Sequence, residues 1–435
     1  MFYRLALAAP WSMPILAWVE DAAAQIPAFS VPTEERRVAS VSGNPGATTY
    51  MPGTGWLGHT LGLKDEWGVT LGGLWLGDLN LTAAGGMRPG HVTGNSALFV
   101  GLLADVDKAI GWTGASFGVQ FLQINVSDTN ADAGSVSGYN AITGPLPHNR
   151  TQLYQAWYAQ QIVKDMLQVR VGRVLPGLDF NNVLRPVIFD DDNENIPAVT
   201  GAINTMVFVN GSMLGVLPGY YNPAVGATLY FTPTRSFYFN VGVYDGNLAR
   251  GNQIGLIAPQ FNGYHFGIGE MGFNWVVGEH RHPGQFGIGL WRQTGRLQAG
   301  AATEEGTGGV YLFGSQRLAH GINARVPSSG ITAFAQYGVN QSRTMPINQF
   351  YGGGVTAFAL IGNRAKDSMG LTVGLARLNP NLFARSSELM FQAYYQAHLF
   401  AAVFLQPTVS YIPTPGASVS ASGALTTTMR LTVLF

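Results

Sequence analysis

The last ten residues, TTTMRLTVLF, alternate strictly between apolar and polar side chains. Met429, Leu431, Val433 and Phe435 share one face; Thr428, Arg430 and Thr432 share the other. A period of two is the signature of a β-strand, whose successive side chains point to opposite sides. The pattern recurs upstream. SELMFQAYYQAHLF (387–400) sets Leu389, Phe391, Ala393, Tyr395 and Ala397 against Glu388, Gln392, Tyr394 and Gln396. VFLQPTVSY (403–411) sets Val403, Leu405, Val409 and Tyr411 against Gln406, Thr408 and Ser410, with Pro407 on the apolar face at the cost of one ladder donor. In MLQVRVGR (166–173), Leu167, Val169 and Val171 oppose Gln168, Arg170 and Gly172. In SFYFNVGVYDG (236–246), Phe237, Phe239, Val241 and Val243 oppose Asn240 and Gly242.

Sixteen such runs begin near residues 66, 91, 114, 150, 165, 225, 236, 264, 284, 307, 330, 349, 367, 387, 403 and 424. Composition decides what the apolar faces meet. Charged residues make up 11% of the 435, against about 25% in soluble domains. Beyond the N-terminus, no apolar stretch reaches the ~18 residues of a spanning helix. Connections also differ in length. Val163–Asp165, Thr232–Arg235 and Gly362–Lys366 are short; 127–149, 175–224 and 246–263 are long. Short turns at one mouth and long loops at the other belong to an outer-membrane barrel rather than a soluble sandwich. The expectation is an all-β, 16-stranded antiparallel transmembrane outer-membrane β-barrel, multi-pass, with lipid outside. An even strand number puts both termini on the periplasmic side. Trp67, Tyr154, Trp157, Trp275, Tyr411 and Phe435 are candidates for the interfacial aromatic girdles.

The N-terminus has the parts of a secretory signal. Arg4 is followed by the apolar run Leu5–Val19 and by Ala22-Ala23-Ala24. The expected division is a signal peptide over 1–24, a periplasmic lead-in over 25–60 and the barrel over 61–435. Cysteine is absent, and 24 basic residues balance 24 acidic ones, which gives no basis for a nucleic-acid partner.

With apolar faces outward, the other parity lines the lumen. It carries Gln120, Gln168, Arg170, Glu270, Asn274, Trp291 and Gln293, then Gln336, Gln392, Gln396, Gln406 and Arg430. Amides both donate and accept, which suits a neutral polyol better than an ion, although amides also simply solvate a water-filled lumen. Parity is ambiguous over 150–162 and 307–317. The connection over 175–224 is the longest, a length that points to function. It carries the acidic cluster Asp190, Asp191, Asp192 and Glu194, then LPGYYNP (217–223). The cluster has three readings: facing Arg88, Arg170 or Arg173 across the pore, holding a divalent cation, or lying solvated in a surface loop. No Gly-x-Ser-x-Gly, His-Glu-x-x-His or Walker A pattern occurs, and no metal site or cofactor is expected.

Several stretches resemble the carbohydrate-selective porins (OprB type), in order over about residues 60–435. They include DEWGVTLGGLWLGDL (65–79), LLADVDKAIGWTGASF (102–117), TQLYQAWYAQQ (151–161) and VRVGR (169–173). YFTPTRSFYFNVGVYDGN (230–247) and ELMFQAYYQAHLFAAVFLQPTVSYIPTPG (388–416) follow. The resemblance implies a sixteen-stranded barrel for passive diffusion of sugars such as glucose, with Arg and acidic residues beside aromatics at its waist. In general porins, the loop after the fifth strand narrows the barrel, which makes 175–224 the constriction candidate. VRVGR carries Arg170 over as a lumen residue, and GLWRQTG (289–295) does the same for Trp291. Gln155 stands where the family usually has an acidic residue before Ala-Trp, and Asn181–Ala202 is similar to an insertion, so neither the eyelet's charge pattern nor that geometry transfers. The expected solute is a mono- or oligosaccharide. The alternative is a general or anion-preferring porin; an outer-membrane enzyme or adhesin barrel ranks third. A monomer and a homotrimer are both open to the sequence.

Overall fold

The computed structural model describes residues 44–45, 51–143, 147–184, 198–219, 221–234, 236–252, 258–278 and 282–435. Its strands are β1 (Val69–Gly86), β2 (Val92–Asp105), β3 (Ala115–Asn125), β4 (Asn149–Val163), β5 (Leu167–Val174), β6 (Ala224–Thr234), β7 (Phe237–Asp245) and β8 (His265–Val277). They continue with β9 (His282–Ala299), β10 (Ala302–His320), β11 (Gly330–Asn340), β12 (Ile347–Phe358), β13 (Ser368–Leu378), β14 (Ser387–Phe400), β15 (Val403–Ile412) and β16 (Ser422–Leu434). Each pairs antiparallel with its sequence neighbours, and β1 closes on β16. Closure leaves no unpaired edge, the condition for strands to cross lipid.

Period two sorts the side chains as the alternation requires. Leu79, Phe121, Val243, Leu290 and Leu371 are exposed on the outer surface, while the residues between them are buried inside. All twelve residues expected in the lumen have the inward parity and are buried. The girdle expectation needs correction. Trp67 and Tyr411 are exposed, but Tyr154 and Trp157 turn inward, at 4% and 1% exposure. The cause is a β-bulge: Gln120 on β3 pairs with Gln155 and Phe121 with Leu153, so Tyr154 is the extra residue on β4. An inserted residue reverses the parity. Arg150, Gln152 and Tyr154 face inward before the bulge, and Gln155, Trp157 and Ala159 after it.

In β10 the ambiguity has another source. Tyr311 and Phe313 lie on the inner face beside Thr307, Ser315 and Arg317, so hydrophobicity does not mark the outside there. Glycines opposite make room for these rings. A Cβ on Gly289 would meet the Tyr311 ring at 2.2 Å, and one on Gly287 the Phe313 ring at 2.4 Å; Gly272 seats Tyr238 of β7 in the same way, at 2.2 Å. Part of the 57 glycines is thereby explained as seats for inward aromatics.

The connections 126–148, 175–223 and 246–264 are long and leave the barrel at the end opposite the termini. Alternation fades in the second half, where β9 and β10 join through 300–301 and the opposite end carries 321–329 and 359–367.

Candidate functional site

Two loops turn into the barrel. The described parts of 175–223 build an apolar core against the inner wall, with Val207, Val209 and Met213 packed among Trp291, Tyr311, Phe334 and Tyr394. Polar wall residues hold the loop backbone. Gln392 accepts from the amides of Ile203 (2.7 Å) and Asn204 (3.0 Å). The Gln336 amide donates to the Met206 carbonyl (2.8 Å) and that of Asn340 to Ser212 (2.7 Å). The loop over 126–148 joins it: Ala141 N–H donates to Ile203 O (2.7 Å) and Thr205 N–H to Gly138 O (2.9 Å). Glu388 of β14 clamps this second loop. Its carboxylate accepts from the Ser135 hydroxyl, the Val136 and Ser137 amides (2.9 Å each), the Ser137 hydroxyl and Gly416 N–H (2.6 Å).

The residues singled out from the sequence fall into distinct groups. Arg170 is fully buried and forms an ion pair with Asp179, at the end of the short helix Pro176–Asp179 that opens the long loop. Its guanidinium lies 5.7 Å from the ring centroids of both Trp157 and Tyr230. Arg170 thus ties the loop's first turn to β5. Glu270 accepts from the hydroxyls of Tyr238 and Tyr311 (2.8 Å each) and from Asn181 N–H (2.6 Å). Trp291 stacks on Phe266, with centroids 6.2 Å apart, and Gln293 donates to Gly246 O (3.1 Å). Gln168 and Asn274 are buried on the inner face. Arg430 meets Asp78 across the closing β1–β16 seam through two bonds, Nε–Oδ1 at 2.8 Å and Nη2–Oδ2 at 2.7 Å. Asn140, from the second loop, donates to Asp78 (2.8 Å) and Asn80 (2.7 Å). Asp190, Asp191, Asp192 and Glu194 lie outside the described residues. Arg88, one proposed partner of that cluster, pairs with Asp132 at 3.4 Å.

Beside the long loop, toward β1, β2, β4 and β14–β16, is a cavity of about 110 Å³. Phe99, Tyr154 and Tyr221 line one side; Gln396, Gln406, Arg430 and Thr432 line another. The aromatic wall is made by the bulge, which turns Tyr154 inward, and by Tyr221. That residue has φ +71°, a left-handed conformation costly for a side chain with a Cβ. Three bonds from β4 hold it: Tyr221 N–H donates to the Tyr154 hydroxyl (3.1 Å), and Gln152 (2.8 Å) and Arg150 (3.1 Å) donate to its carbonyl. Phe99 lies 5.6 Å from the Tyr154 centroid and 6.3 Å from that of Tyr221, near parallel to the latter at 27°. Backbone strain retained under several restraints often marks a functional position. The sequence offered only LPGYYNP as a hint of Tyr221, and none for Phe99.

The carbohydrate-selective porin, OprB family model matches residues 94–435. Porin B of Pseudomonas aeruginosa is 23% identical over 401 residues, covering 80% of this chain and 83% of that protein. Among solved structures, the high-pH structure of Pseudomonas putida OprB aligns with TM-score 0.72 at 18% identity, over 89% of this chain and 99% of the other. Its low-pH structure aligns at 0.56 and 16%, over 91% and 99%. At these identities the structural likeness speaks for the barrel; the family match carries the function. The chain belongs to the carbohydrate-selective porins of the OprB family, and it is a sugar-selective channel of the bacterial outer membrane.

Proposed function

We propose that a small neutral sugar crosses by diffusion along the cavity between the long loop and β1, β2, β4 and β14–β16. The carrying observation is the pairing of an aromatic wall, Phe99, Tyr154 and Tyr221, with the polar wall of Gln396, Gln406 and Arg430. Apolar C–H faces of a pyranose stack on the rings, and its hydroxyls exchange hydrogen bonds with amides that both donate and accept. Binding stays weak, as conduction requires. Charge balance favours a neutral solute. Arg430 is matched by Asp78 and Arg170 by Asp179, so both of these arginines carry a carboxylate partner. This weighs against the anion-preferring alternative. In this reading Arg170, Glu270 and Trp291 fix the loop that narrows the passage, Gln293 holds the start of the 246–264 connection through Gly246, and Arg430 faces the solute. Tyr221→Ala tests the assignment. It should weaken the reduction of ion current by sugar in planar bilayers; a wild-type sugar response would reject the aromatic wall as the contact surface.

A further inference from the structure

The N-terminal lead-in also enters the barrel. Gly72 on β1, Gly101 on β2 and Gly118 on β3 lie on adjacent strands, with Gly72 paired directly to Gly101 and all three on the inner parity. Together they leave a bare stripe on the inner wall, and the chain at Met51–Gly53 lies against it. A Cβ on Gly72 would come within 2.2 Å of the Pro52 carbonyl oxygen, one on Gly101 within 2.2 Å of the Met51 carbonyl oxygen, and one on Gly118 within 2.6 Å of Met51 Cε. Gly53, with φ +55°, approaches in turn: its Cβ would stand 2.0 Å from Gly73 O and 2.4 Å from Phe435 O. A side chain at Gly72 or Gly101 would strike the segment's backbone, and one at Gly118 would first strike the Trp157 ring, at 2.4 Å, that packs with Met51. Met51 itself is 6% exposed, packs in one apolar cluster with Leu103 and Trp157, and lies 4.0 Å through Sδ from Gln155 Nε2. Trp157 is the ring over which Arg170 sits. A thioether is therefore held in the lumen next to the residues that anchor the long loop.

We propose that Met51–Gly55 is a pore-narrowing element of the channel and that Met51 is a size-determining residue for the transported sugar. The inference rests on the reading that solute crosses this lumen, and its test separates the two. The chain has no cysteine, so Met51→Cys introduces a single thiol in the full-length protein. A bulky cationic methanethiosulfonate that reacts at this introduced thiol, verified by mass, should lower single-channel conductance irreversibly. Met51→Ala and Gly101→Ala remove or displace the obstruction; both should raise conductance and speed disaccharide-driven liposome swelling over wild type. Heat-dependent electrophoretic mobility checks that each barrel is folded. A thiol-modified Met51→Cys channel with unchanged current, or a folded Met51→Ala channel with wild-type conductance and wild-type disaccharide exclusion, overturns the proposal. Wild-type current that ignores sugar altogether would instead defeat the transport reading, whatever residue 51 does.

Discussion

Arg430 and Asp78 pair across the seam that closes the barrel, with Arg430 also lining the cavity, and their removal has a calculable cost. The two side chains are 6% and 0% exposed and share two charge-assisted hydrogen bonds. Arg430→Ala takes both donors from a carboxylate that then keeps the Asn140 amide at 2.8 Å. Stranding one member of a buried ion pair costs about 3–5 kcal/mol. With a urea dependence of about 1–3 kcal/mol per molar, the unfolding midpoint should fall by at least about 1 M. Asp78→Ala should cost a similar amount, because it strands the guanidinium. The double variant should lose far less than the sum, with a coupling energy near the top of the ~0.5–3 kcal/mol range for neighbours in one network. The assay is urea unfolding in detergent micelles, followed by tryptophan fluorescence. Single variants each costing under about 1 kcal/mol, or a cycle additive within about 0.5 kcal/mol, would refute the claim that this pair holds the β1–β16 seam.

Further outcomes follow from other contacts. Glu388→Ala removes the acceptor for five donors on 135–137 and 416, and should make the 126–148 loop the first site of limited proteolysis; a wild-type cleavage pattern would contradict this. Gly289→Val should push Tyr311 off Glu270 and destabilise the barrel by about 1–3 kcal/mol, read as a lower urea midpoint. Tyr221→Gly should relieve about 1–2 kcal/mol of left-handed strain while losing the ring, so stability should fall less than for Tyr221→Ala while sugar response falls equally. Burial pushes the Tyr139 hydroxyl up to about 12, with a hydrogen bond to Thr129 opposing the shift. Its folded pKa lies above its unfolded value near 10, so its stabilising contribution is intact below about pH 10 and is lost as pH rises through about 12. Tyr139→Phe should flatten alkaline unfolding over that window; an identical alkaline profile would contradict the assignment.

The strands were legible because period two survives wherever lipid enforces one face. Facing followed from the same constraint, and Arg430 could be turned inward from Phe435 alone. Legibility failed where the chain departs from strict alternation or where the inner face is itself apolar. The single inserted Tyr154 reverses β4, and Tyr311 and Phe313 look like lipid-facing residues until their glycine seats are seen. The interior was less accessible still. Parity identifies Arg170, Glu270 and Trp291 as inward residues, but it does not distinguish anchoring a loop from facing a solute. That distinction depends on Asp179, Asn181 and the folded loop over 198–219, whose non-local packing has no local sequence signature. Nor did the polar lead-in announce that Met51 and Pro52 would lie against glycines of the barrel wall.

The proposed function requires that this barrel pass sugar through a lumen that binds it weakly. Planar-bilayer current through the purified full-length protein, recorded with and without glucose or maltose, tests it most directly. Millimolar sugar should reduce the ion current reversibly, and Tyr221→Ala should blunt the effect. Wild-type current that millimolar sugar leaves unchanged would contradict the account.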